Sequence, residues 1–250
     1  MHRYSQEEIE MTLTATTTVG EIAAEMPSAT REFEKLGIDY CCGGSRTLGQ
    51  ACAEAHISID EALARLENGL ASAQPASSKD WQNQLLADLI IHITSTHHAF
   101  VREESPRIQA LAAKVVGVHG SNHPELLQVQ QVFSALAEEL RVHLMKEEQM
   151  LFPYISRMEE SVLAGEPAPP AMFGTVANPV RMMMQEHDGA GEALRSLRAI
   201  TSNYAIPEDV CISYRTLYGA LEAFEADLHQ HIHLENNILF PRAVAMEAKR

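Results

Sequence analysis

The sequence predicts an all-α protein: a small helical domain over residues 13–72, followed over 80–247 by an antiparallel four-helix bundle. Three observations carry this reading. Apolar residues recur at alternating steps of three and four, and no alternating strand pattern of any length competes. The small, polar run Ala73-Gln-Pro-Ala-Ser-Ser-Lys79 reads as a linker. Beyond it, one His, Glu and Pro pattern occurs twice at identical spacing.

Taken in order, Val19 to Met26 and Ser28 to Leu36 read as short helices, the second with Ser28 as its N-cap and Gly37 at its end. Thr47 to Ala55 reads as a third, and Ser58 with Glu61 forms a capping box for a fourth. After the linker come four long amphipathic stretches, roughly Trp81 to Val116, His123 to Glu159, Asn178 to Asn203 and Glu208 to Glu247. Pro106 is placed to kink the first. Gly165 to Gly174, with Pro167, Pro169 and Pro170, is the loop between the second and third. Modest connections between long helices imply antiparallel neighbours.

Composition narrows the classes. With 46% hydrophobic residues in 250, a real core is available. No apolar run approaches the ~20 residues of a membrane span. The first residues are polar, with Glu7, Glu8 and Glu10 where a secretory peptide has its apolar core, so the expected home is the cytoplasm. A net charge of −15 argues against nucleic acid or an anionic membrane as partner. Cys41, Cys42, Cys52 and Cys211 do not form a disulfide framework, and Cys52 and Cys211 read as structural.

The repeat carries the chemistry. His143 and Glu147 are followed by Leu151-Phe-Pro153, and His231 and Glu235 by Leu239-Phe-Pro241. A further histidine precedes each copy: His98 by 45 residues and His187 by 44. Residues four apart share a helix face. That face is the core seam: Phe133, Leu136, Leu140, His143, Glu147, Met150 and Tyr154 in one helix, and Leu221, Phe224, Leu228, His231, Glu235 and Ile238 in another. His187 lies on the equivalent seam with Val180, Met183, Ala190 and Leu194. In the first long helix the periodicity leaves two histidines open. His97 continues Leu86, Ile90 and Ile93, whereas His98 runs on through Val101, Ser105, Ile108 and Ala112.

An uncompensated buried carboxylate costs several kcal/mol, against a total stability of only ~5–15 kcal/mol. Two metal ions compensate the set better than a Glu–His⁺ network alone. Four imidazoles and two carboxylates in a bundle core suit a di-iron or di-manganese pair, the carboxylates bridging. Such a pair has room for an oxo or hydroxo bridge and for an exchangeable site open to O₂ or NO.

The pattern His92-x₅-His98, His143-x₃-Glu147, Glu186-His187-Asp188 and His231-x₃-Glu235-Asn-Asn resembles the hemerythrin-like domain of the iron–sulfur cluster repair di-iron proteins, the RIC family. Gly37-Ile-Asp-Tyr-Cys-Cys-Gly-Gly44 resembles that family's ScdA-type N-terminal domain, and the two resemblances span about residues 13 to 247. They imply a non-heme di-iron centre with ligands His98, His143, Glu147, His187, His231 and Glu235. His98 is thereby favoured over His97. Ala99 departs from the acidic residue common there, which touches an outer contact and not the ligand. Glu186 reads as an outer partner or channel residue. The implied function is repair of clusters damaged by nitrosative or oxidative stress, with iron supplied from a labile centre and Cys41 and Cys42 as redox or iron-transfer thiols. The implied partners are damaged iron–sulfur proteins and a second copy of the chain. Alternatives are an NO-reducing enzyme and an O₂- or NO-binding module. His2, His56, His92, His119, His123, His229 and His233 read as non-ligands.

Overall fold

The computed structural model describes residues 13–72, 80–167 and 169–248; the polar N-terminal run with His2 and the 73–79 linker lie outside the described residues. The chain divides into two compact units, Met1–Lys79 and Asp80–Arg250. Among the described residues, β structure is limited to one isolated bridge between Thr18 and Thr47.

In the first unit, α1 (Val19–Glu25) and α3 (Leu48–Glu54) each start with a complete capping box, Thr18 with Glu21 and Thr47 with Gln50. Their starts lie side by side, Val19 donating its N–H to the Arg46 carbonyl at 3.0 Å and Leu48 to that of Thr17 at 2.8 Å. Between them, α2 (Ala29–Leu36) ends on Gly37 at φ 67°, the left-handed stop that the sequence predicts. Ser28, however, makes no capping hydrogen bond with its side chain. It sits in helical backbone already, and Ala29 bonds back to the Met26 carbonyl. In front of α4 (Ile59–Ser72), the Ser58 hydroxyl accepts the Glu61 N–H. Val19, Ile22, Phe33, Tyr40, Leu48 and Leu66 form the core.

The second unit has four long helices. The first, α5, spans 86–119 as Leu86–His92, a π-turn at Ile93–His98, and Ala99–His119. Next, α6 spans 125–163 as Glu125–Lys146, a π-turn at Glu147–Leu151, and Phe152–Leu163. After an unbroken α7 (Ala177–Ile200), α8 spans 212–248 as Ile212–Leu234, a π-turn at Glu235–Leu239, and Phe240–Ala248. Partners across the helices run in opposite order, which makes the bundle antiparallel. Leu86 meets Glu159 and Arg102 meets Glu148; Arg198 meets Glu225 and His187 meets Asn236. Phe133 and Phe224 pack edge to face at 5.2 Å, and Ile108, Val129, Leu136 and Leu221 are buried as well. Each such side chain contributes about 1.5–3 kcal/mol of burial. No described helix is long and apolar enough to cross a membrane.

Helix α5 continues through Pro106, and its interruption is the π-turn instead. A π-turn admits one extra residue, so the buried face moves on by one position. In α5 the seam therefore changes from Ile90 and Ile93 above to Val101, Ser105 and Ile108 below, and both His97 and His98 turn inward. In α6 the same step exposes Met150, which a regular helix would put on the seam, and buries Leu151 in its place.

Candidate metal centre

Each of the three π-turns has a polar residue of the seam at one end. His98 closes the first, Glu147 opens the second and Glu235 opens the third. His98, His143, Glu147, His187, His231 and Glu235 are all 3% exposed or less. They form two groups of four, His98–Glu147–His231–Glu235 and His143–Glu147–His187–Glu235, each with donor atoms within 4.8 Å of one another. Both glutamates belong to both groups. The Nε2 atoms of His98 and His231 are 3.1 Å apart, as are those of His143 and His187. Glu147 Oε2 lies 3.4 Å from the Nε2 atoms of both His98 and His143. Glu235 reaches His231 with Oε1 at 3.0 Å and His187 with Oε2 at 3.1 Å.

Outer partners fix which ring nitrogen faces inward. The Nδ1 of His98 meets Glu148 Oε1 at 2.7 Å, and Arg102 binds the same oxygen at 2.6 Å. The Nδ1 of His143 meets Glu186 Oε2 at 2.8 Å, and Lys146 pairs with that carboxylate. The Nδ1 of His187 meets Asn236 Oδ1 at 2.8 Å. Each contact places a proton on Nδ1 and leaves Nε2 free to bind a cation. Glu186 is thus an outer partner of His143 and not of its neighbour in sequence. Glu148 and Asn236 carry no signal of their own in the sequence, although each directly follows one of the two shared glutamates.

Charge is the clearest sign of what the set holds. Both oxygens of Glu147 are buried without a hydrogen-bond partner, a costly arrangement that a cation between the carboxylates relieves. Burial alone would lower the His98 pKa, but the adjacent carboxylates of Glu147 and Glu235 push it up to about 10. Burial likewise opposes the charge on His143, and Glu147, Glu235 and Glu186 raise it to about 9. Burial and the neighbouring Glu235 work against ionisation of Glu147, yet His143 and His98 hold it below the usual carboxylate range. Protons on these imidazoles balance the carboxylates, and a bound cation displaces them.

The other described histidines stand outside both groups. His97 bonds Asp227 Oδ1 through Nδ1 at 2.9 Å. His92 stacks on Trp81, His119 contacts the Cys211 thiol, His123 meets Glu125, and His233 meets Asn237. A cavity of about 360 Å³ between α6 and α7 reaches His143 and His187, with Leu136, Leu140, Lys146 and Glu186 among its walls.

In the first unit, Asp39 organises the two adjacent cysteines. Its Oδ1 accepts the N–H groups of Cys41 at 3.2 Å and of Cys42 and Gly43 at 3.0 Å. The Cys41 thiol lies 3.4 Å from that oxygen and 3.9 Å from the Cys42 sulfur, so the pair is not disulfide-bonded. A Cβ on Gly43 would come within 2.6 Å of the Asp39 carbonyl, and the close turn therefore requires glycine. Cys42, burial and Asp39 together push the Cys41 thiol well above its ordinary pKa. Asp39, Cys41 and Cys42 form a third group with the spacing of metal donors.

Fold and site define a class: a helical bundle with a buried His and Glu set shaped for cations. Residues 89–243 match the family described as the hemerythrin HHE cation binding domain. Residues 15–69 match the ScdA N-terminal family, described as a domain of unknown function. The iron–sulfur cluster repair protein YtfE of Pectobacterium atrosepticum is 37% identical over 229 residues, 92% of this chain and 97% of that protein. Its counterpart in Yersinia pseudotuberculosis is 38% identical over the same shares of both chains. The chain belongs to the iron–sulfur cluster repair (RIC) family.

Proposed function

We propose that this chain repairs damaged iron–sulfur clusters by supplying iron from a di-iron centre. The observation that carries this reading is the pair of four-residue groups sharing Glu147 and Glu235, with both Glu147 oxygens buried and lacking a hydrogen-bond partner. The names of the relatives support the repair role. His98 and His231 would hold one ion, His143 and His187 the other, and the two glutamates both. Bound iron supplies the exchangeable ion itself.

The chain's own residues favour release. As an ion leaves, His98 and His143 can take up protons and keep the carboxylates balanced, which lowers the cost of the metal-free state. Glu148 with Arg102, and Glu186 with Lys146, keep the imidazoles in place meanwhile. The cavity against His143 and His187 gives NO or O₂ a way to that side of the site. Cys41 and Cys42, beside Asp39, are a transient thiol acceptor for iron in transit. A cytoplasmic setting keeps such thiols reduced.

The test is anaerobic incubation of a damaged cluster enzyme with ferrous-loaded protein. Activity should return, and it should return more slowly with Cys41→Ser/Cys42→Ser protein of unchanged iron content. If free Fe²⁺ restores the enzyme and the loaded protein does not, the donor role is wrong.

A further inference from the structure

A line of ring contacts leads from the surface of the bundle unit to one corner of the His and Glu set. Trp81 is the single tryptophan of the chain. It stacks on His92 with centroids 4.7 Å apart and planes within 24°. His92 meets His97 edge to face at 5.6 Å, and His97 lies parallel to His231 at 5.8 Å and 7°. Trp81 and His92 are half-buried, whereas His97 and His231 are buried.

Each ring is held. Arg242 donates to the carbonyls of Trp81 at 2.7 Å and Gln84 at 2.6 Å. Asp80 ties the same turn together by accepting from Gln82 and Asn83. His97 is anchored by Asp227 at 2.9 Å. The π-turn at Ile93–His98 makes the last step possible, because it turns His97 inward beside His98.

His231 is also unlike the other three imidazoles of the set. Those three place Nδ1 against Glu148, Glu186 or Asn236, but the buried Nδ1 of His231 has no hydrogen-bond partner. What it has instead is the parallel ring of His97 at 5.8 Å. None of Trp81, His92 or His97 belongs to either metal-donor group. Packed π-systems couple electronically better than saturated side chains do, and indole is the most readily oxidised ring on this line.

We propose that Trp81, His92 and His97 form an electron path between the protein surface and the metal that His231 would hold, with Trp81 as the entry point for an external one-electron carrier. The path rests on the iron-centre reading above. In the step, one electron leaves the reduced carrier and one ferric ion becomes ferrous. No bond forms or breaks, no proton is transferred, and the three rings end as they began. The path serves release, since a carboxylate-rich site holds ferrous iron less tightly than ferric.

The experiment uses full-length protein loaded anaerobically with ferrous iron, its metal content measured on the same sample. A laser flash in the presence of ruthenium tris(bipyridine) and a sacrificial acceptor oxidises Trp81 from outside, and transient absorption follows the tryptophan radical. In loaded protein the radical should be refilled from iron, with ferric absorption rising at the same rate; in metal-free protein it should persist. Loaded His92→Leu protein should lose the fast refilling, and His92→Phe, which keeps a stacking ring, should regain it. Equal radical lifetimes in loaded wild-type and His92→Leu protein, at equal iron content, would overturn the path alone. A protein that takes up no iron would instead defeat the reading of the site, and the path with it.

Discussion

The Nε2 atoms of His98 and His231 lie 3.1 Å apart although 133 residues separate them in the chain. His143 and His187 repeat the same 3.1 Å approach from the other two helices. The π-turn at Ile93–His98 turns His98 inward together with His97, while those at Glu147–Leu151 and Glu235–Leu239 start at the two glutamates and move the seam by one residue beyond them. Such turns weaken the local hydrogen-bond ladder and persist where function uses them.

Iron binding is expected to release protons. His98 and His143 are raised to about 10 and about 9, above the unfolded value near 6.5, so both are protonated at neutral pH. Their contribution to metal-free stability is complete below about pH 6.5 and is lost as pH rises through their folded values. Apparent iron affinity should therefore climb with pH and level off above about 9 to 10. Calorimetry of iron uptake in two buffers of different ionisation enthalpy measures the protons. Identical heats in both would contradict this charge balance.

A second expectation concerns the start of α5, whose first N–H groups are capped from another helix. Buried Glu159 accepts from Leu86 at 2.7 Å and from Ala87 at 2.9 Å, while Leu85 at the cap position offers no side-chain bond. Glu159→Ala should cost about 1–2 kcal/mol in urea denaturation and leave iron content unchanged. A loss within error of zero would mean that solvent caps this helix equally well.

Much of the site is legible in the sequence, because His143–Glu147 and His231–Glu235 combine an i, i+4 spacing with a place on an apolar seam. His187 is readable for the same reason, on an uninterrupted helix. His98 is not separable from His97 by periodicity, since the π-turn between Ile93 and Val101 makes both of them inward-facing. The same device misplaces Met150, which is 53% exposed, in favour of Leu151. Glu148, Asn236 and Glu159 carry no sequence signal of their own, because their roles depend on which helix stands opposite. In the first unit, Asp39 and Gly43 lie within the recognisable Gly37–Gly44 stretch, but the carboxylate cradle that explains them needs three dimensions.

At the far end of α8, exposed Cys211 is expected to be the fast-reacting thiol. Its sulfur lies 3.0 Å from His119 Nε2. That contact, with help from backbone N–H groups, lowers its pKa to about 7. Alkylation of Cys211 by iodoacetamide, followed by mass spectrometry, should rise with pH through a midpoint near 7. His119→Ala should move that midpoint toward the ordinary thiol value of about 8.5. An unchanged midpoint in the variant would remove His119 from the explanation.

The central claim is that two ions share Glu147 and Glu235 while each has its own pair of histidines. Iron content per chain, measured with Mössbauer spectra on protein purified without air, tests it most directly. The wild type should hold two irons, His187→Ala about one, and Glu147→Gln or Glu235→Gln should retain neither firmly, since each carboxylate serves both groups. Two fully occupied irons in both glutamate variants would contradict the shared-carboxylate site.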